Sequence, residues 1–96
     1  MKIVWLPRAI GDLQDIRAYI AGHDPKAAQR VAQRIRQTVH HLKAHPQLGR
    51  PADIENIRLM SVPTLPYCIP YRVNDGYIEI LRVFHTSQNR PESWEE

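Results

Sequence analysis

Ninety-six residues, 43% hydrophobic and 24% charged, describe one small folded domain spanning residues 1–96, with no room for a second core or a cofactor-binding unit. A net charge of +3 makes the chain mildly basic, and its only cysteine, Cys68, excludes an internal disulfide and a thiolate zinc site. The apolar runs are short, Ile3-Val4-Trp5-Leu6 among the longest, far below the roughly 20 residues of a membrane span. A cytoplasmic protein with no membrane association is expected.

Residues 2–6 are β-branched and aromatic and read as a strand, which Pro7 ends. A helix follows from about Pro7 to Ala21, with Ile10, Leu13, Ile16 or Arg17, and Ile20 on one stripe and Arg8, Asp12 and Asp15 on other faces; Gly22 is placed as its C-terminal cap. Asp24-Pro25 is a strong helix start, because the carboxylate accepts from a first-turn amide and proline fits where no amide bond is needed. The second helix is expected to run to about Ala44, with Ala28, Val31, Ile35, Val39 and Leu42 as its apolar stripe and Pro46 as its stop. The connection between the two is so short that they must form an antiparallel hairpin.

After a turn at Leu48–Pro51, three strands are expected over Ile57–Val62, Tyr67–Val73 and Tyr77–His85, the last two joined by Asn74-Asp75-Gly76. Tyr67, Ile69, Tyr71 and Val73 alternate on one face, and the prolines at 63, 66 and 70 suggest an exposed or bulged edge on that strand. The last strand is apolar at nearly every position, as a central strand should be. The fold class is therefore α+β, in the order β-α-α-β-β-β, an antiparallel sheet with a two-helix hairpin packed on one face. The opposite sheet face is expected to lie largely open, an invitation to a partner or a second copy.

The charge is segregated. Between Asp24 and Asp53 there is no acidic residue, yet Lys26, Arg30, Arg34, Arg36, Lys43 and Arg50 fall there. Such a stretch is either a partner surface or a solvated helix face. His40, His41 and His45 lack a third ligand and a zincin pattern, so no metal is expected. The glycines are scattered singly, with no phosphate loop, and no cofactor is implied. Cys68 reads as core filler rather than a nucleophile.

The polar groups that stand out are Arg58, Arg72, Arg82, His85 and Arg90. Strand parity places Arg82 and His85 on opposite faces of the last strand. His85 has the chemistry of a general acid or base, and the arginines that of phosphate ligands. The structural alternative pairs Arg58 and Arg72 with Asp53, Glu55 or Glu79 and uses His85 to cap the strand end.

Trp5, Ala9, Asp12-Leu13, Ile16, Tyr19-Ile20-Ala21, Asp24-Pro25-x-Ala27-Ala28, His45-Pro46-x-Leu48-Gly49-Arg50-Pro51, Arg58, Pro66-Tyr67, Tyr71-Arg72-Val73 and His85 together resemble the RelE/ParE superfamily of toxins from type II toxin–antitoxin modules, also known as plasmid stabilisation proteins. The resemblance spans nearly the whole chain and implies the same fold. It implies one of two activities. RelE-like members are ribosome-dependent mRNA endonucleases, which would put His85, Arg58, Arg72 and Arg90 around the scissile phosphate with ribosome and mRNA as partners. ParE-like members inhibit DNA gyrase and carry out no catalysis of their own.

An arginine commonly stands three residues before the third-strand tyrosine in the nucleases, and this chain has Cys68 there. Where those nucleases often have a tyrosine after the histidine, it has Thr86. Losing that arginine removes an electrostatic contribution to cleavage on the order of a few kcal/mol. The resemblance thus favours a gyrase-directed toxin that arrests growth, with Arg58, Arg82, Arg90 and Trp94 as target contacts. Its implied partner is a cognate antitoxin forming a hetero-oligomer, with Lys26, Arg30 and Arg34 as the antitoxin-facing stripe. A non-toxic relic that only binds an antitoxin is the remaining alternative.

Overall fold

In a computed structural model the described residues are 1–87. The chain opens with strand β1 (Lys2–Trp5), followed by helix α1 (Pro7–Ala21) and helix α2 (Pro25–His41). Strands β2 (Arg50–Pro51), β3 (Ile57–Ser61), β4 (Tyr67–Asn74), β5 (Tyr77–Ile80) and β6 (Phe84–His85) complete it. The sheet runs β1-β5-β4-β3-β2, with β6 also pairing β4. Every pairing is antiparallel except that of β1 with β5, so the sheet is mixed and β1 forms one edge.

Helix α2 begins as its sequence dictates: Asp24 has extended backbone and its Oδ1 accepts from the amides of Lys26 and Ala27, both at 3.1 Å. It ends at His41 rather than Ala44 because the last turn tightens, Leu42 N–H donating to Val39 O and Lys43 N–H to His40 O. Gly22 does cap α1, but in right-handed conformation, so no glycine-specific backbone is required there. The α1 stripe is shifted relative to expectation: Ala9 is fully buried, while Ile10 is 44% exposed.

The main core lies between helices and sheet. Ala9, Ile35, Val39 and Leu42 meet Tyr67, Ile69, Tyr71, Ile78 and Ile80, the inward alternate positions of β4 and β5. On the opposite face Ile57, Leu59, Cys68, Leu81 and Phe84 form a second cluster, joined by Leu6 and Ala52, and each of the five is at most 8% exposed. The expectation of a largely open second face is thus corrected. Apolar side chains there close on one another and on the segment beside β2. Cys68 is the buried filler its setting suggested.

The last strand is not continuous. Tyr71 faces Ile80 and Tyr67 faces His85, so β4 advances four residues while its partner advances five. That one extra residue is a β-bulge, placing Arg82 and Val83 opposite Ile69. It begins just past Pro70, which accepts from Leu81 N–H at 3.0 Å but has no N–H to return. The bulge predicted from the prolines therefore lies in the partner strand, and β4 itself is paired on both sides.

The segment after α2 is stapled to the sheet by Tyr71. Its buried hydroxyl donates to Pro46 O at 2.7 Å and accepts from Gly49 N–H at 2.9 Å. Arg58 donates to Gly49 O at 2.7 Å. A Cβ at Gly49 would sit 2.7 Å from Tyr71 Cε1 and 2.9 Å from Leu59 O, so only glycine allows this approach.

Gly49→Ala is expected to cost about 2–4 kcal/mol through overpacking, and Tyr71→Phe about 1–3 kcal/mol through two orphaned buried backbone groups, both read from urea unfolding. Burial pushes the Tyr71 phenol above its ordinary 10.0, partly offset by the Gly49 hydrogen bond and Arg58. A raised folded-state value means that this stabilisation is complete below pH 10 and is lost as pH climbs through the folded value. The alkaline fall in stability should therefore be shallower in Tyr71→Phe.

Candidate functional site

A cleft of about 780 Å³ opens between α1 and the bulged strand, lined by Asp12, Asp15, Ile16, Tyr19, Tyr67, Arg82, Val83, His85 and Ser87. Asp12 organises its floor. Its carboxylate accepts from Arg82 Nε at 2.8 Å, from Arg82 Nη2 at 3.0 Å and from the Val83 backbone N–H at 2.9 Å. The third bond satisfies an amide that the bulge has removed from the sheet ladder. The bidentate pairing holds the Arg82 guanidinium above its usual range, against a smaller opposing effect of burial.

The bulge also decides which way the following side chains point. Before it, Ile78 and Ile80 face the helices; after it, Val83 and His85 do, and Phe84 turns to the second cluster. Arg82 and His85 therefore share one cleft, contrary to the parity expectation, because an extra residue between them resets the alternation. His85 packs edge-on against Tyr67, ring centroids 5.4 Å apart. Its Nδ1 accepts from Ser87 N–H at 3.1 Å. Desolvation raises the Tyr67 phenol, and the nearby Tyr19 adds to that.

Arg58 and Arg72 do not join this cleft. Arg58 and Tyr71 are register partners, four residues along β4 from the Tyr67–His85 pair, a separation of about 13 Å. Arg58 turns to the carbonyls of Gly49 and, at 3.4 Å, Gln47, rather than to Asp53 or Glu55. Arg72 has the opposite parity on β4 and pairs with Glu79 at 3.4 Å, as the structural alternative proposed. Arg90 and Trp94 lie outside the described residues.

On α2, Lys26, Arg30 and Arg34 are exposed and advance about 40° per step around the helix. Lys26 lines a shallow cleft of about 550 Å³ between the helices, with Arg17, Ala18 and Ala21. Arg34 is anchored, donating to Thr64 Oγ1 at 2.9 Å and Pro63 O at 3.3 Å. It thereby braces a turn in which the β-branched Thr64 is held at φ 65°. Among the described residues no group of three or more His, Cys, Asp or Glu is placed to hold a metal ion. No helix among them is long and apolar enough to cross a membrane.

Sequence reasoning missed Asp12. The helical wheel carries the available signal: Asp12 lies only about 60° from the buried Ala9, on the border of the stripe rather than on the far face.

Comparison with known proteins gives concordant matches. The family described as the ParE toxin of the type II toxin–antitoxin system parDE matches residues 3–90. The chain is 42% identical to a putative toxin, Y4kP, of Sinorhizobium fredii, covering 95% of this chain and 94% of that protein. It is 40% identical to toxin RelE2 of Caulobacter vibrioides, covering 91% and 97%. Among solved structures, a chain of the chromosomal ParDE system of P. aeruginosa superposes with a TM-score of 0.82 at 28% identity, covering 91% of this chain and 97% of that one. A chain of the RelBE2 toxin–antitoxin complex of Mycobacterium tuberculosis shares the fold at a TM-score of 0.61 and 21% identity, with 91% and 92% covered.

Asp12→Ala should leave Arg82 and the Val83 amide without their acceptor and lower unfolding stability by about 2–3 kcal/mol. Asp15→Asn, on the same helix but exposed, should change it by less than about 0.5 kcal/mol. Parallel urea titrations of the two variants check the contrast.

Proposed function

Because the chain belongs to the ParE toxin family of type II toxin–antitoxin systems, we propose that it arrests growth by binding and inhibiting DNA gyrase, and that a cognate antitoxin neutralises it. One observation carries the choice of target: among the described residues, the cations that a nuclease would gather on a scissile phosphate are dispersed. Arg58 is engaged with loop carbonyls, Arg72 is paired on the other face, and of the described candidates only His85 and the carboxylate-bound Arg82 share a cleft. Cys68 occupies, as a buried thiol, the position where the nuclease pattern carries an arginine. RNA cleavage depends on preorganised charge around the phosphate, and an arginine committed to a carboxylate supplies little of it.

The antitoxin partner is supported by the P. aeruginosa relative, which comes from a ParDE system. Its docking is assigned to the α2 stripe. Lys26 and Arg30 would meet acidic side chains of a segment that folds on binding, while Arg34 stays engaged with the Thr64 turn.

The test uses one purified sample. DNA supercoiling by gyrase should fall as the protein is added at concentrations comparable to the enzyme's, and recover when the antitoxin is supplied. A defined message translated on ribosomes in its presence should remain uncut. Cuts at codon positions, or unimpaired supercoiling, would overturn the proposal.

A further inference from the structure

The cleft beside Asp12 has a chemistry that the gyrase reading does not use. Asp12 is saturated by its three donors, but Asp15, one turn further along α1, is exposed and makes no hydrogen bond or ion pair among the described residues. Tyr19 follows Asp15 by four residues, so both side chains rise from the same flank of the helix. Its ring is 75% exposed, more than any other large hydrophobic residue described, and it stands at a cleft rather than on an open surface. Across the cleft Tyr67 and His85 pack edge-on. Among the described residues the Tyr67 hydroxyl makes no hydrogen bond and no polar side-chain atom is both buried and unsatisfied, so the hydroxyl opens into the cleft.

The lining thus combines three rings with two carboxylates and a single guanidinium, and that guanidinium is already bound to Asp12. In a chain of net charge +3, this is a locally acidic, aromatic recess. Aromatic faces beside an unpaired carboxylate attract cations, and a planar guanidinium satisfies both at once by stacking on a ring and pairing with the carboxylate. We propose that this cleft is a recognition site for an arginine side chain of a partner polypeptide, with Tyr19 as the stacking face and Asp15 as the counter-charge. The site lies on a different surface from the α2 stripe and takes the opposite charge. The assignment holds whether or not the protein inhibits gyrase.

The probe is N-acetyl-arginine amide titrated into the intact isotope-labelled protein, followed by backbone amide shifts. N-acetyl-citrulline amide serves as the uncharged isostere. Saturable shifts should concentrate at residues 15–19, 67 and 82–87 with millimolar affinity, and citrulline should produce none. Asp15→Asn and Tyr19→Ala, both exposed and outside the Asp12 clasp, should each weaken binding about fivefold. The proposal is overturned if no saturable shift appears up to roughly 50 mM, if citrulline binds as well as arginine, or if both variants bind like the parent.

Discussion

The carboxylate of Asp12 is the point on which the architecture turns. It joins α1 to the sheet through three hydrogen bonds, and it does so where the bulge opposite Ile69 breaks the sheet ladder. A bulge leaves a backbone amide with nothing to donate to, and burying such a group unpaired costs on the order of 1–3 kcal/mol. Asp12 removes that cost and neutralises Arg82 in the same contact. The bulge in turn sets the direction of everything downstream: Val83 and His85 to the helix side, Phe84 to the second cluster. The two clusters and the cleft are thus consequences of one inserted residue and the acid that accommodates it.

A second constraint fixes the chain between α2 and β3. Tyr71, Gly49 and Arg58 hold a loop with little regular structure of its own against the sheet. Within the His45–Pro51 stretch that carries part of the family resemblance, Pro46 and Gly49 are therefore explained by packing and hydrogen bonding. Gly49 is there because the tyrosine ring leaves no space for a side chain, and Arg58 because loop carbonyls require a donor. An arginine on a strand invites a phosphate-binding reading, but here its Nη1 is engaged by the protein's own backbone, chiefly Gly49 O.

Much of the fold was legible. The Asp24-Pro25 start, the stripe of α2, the alternation of Tyr67 to Val73 and the turn before Tyr77 are local patterns, and local patterns survive into the structure. In that turn only Gly76 adopts positive φ, at 79°. What was not legible depends on contacts far apart in sequence. Asp12 and Arg82 are separated by 70 residues, and nothing in either neighbourhood announces the other. Parity arguments assume unbroken pairing, so they placed Arg82 and His85 apart, and only the partner strand reveals the extra residue. Of the candidate site, His85 and Arg82 were found in sequence as chemistry-bearing groups, Tyr19 entered only as part of the family resemblance, Tyr67 through that resemblance and strand alternation, and Asp15 only as a helix position off the apolar stripe.

Function follows from what is brought together and what is kept apart. A binding toxin needs a stable surface rather than a set of poised cations, and this chain spends Arg34, Arg58, Arg72 and Arg82 on its own structure. On the proposed gyrase reading, His85 is a wall of the cleft, hydrogen-bonded to Ser87, with no proton-transfer role. Induction of the His85→Ala variant in growing cells tests this most directly, with protein levels matched to the parent. The account predicts that growth still arrests; a folded, equally abundant variant that no longer arrests growth would contradict it.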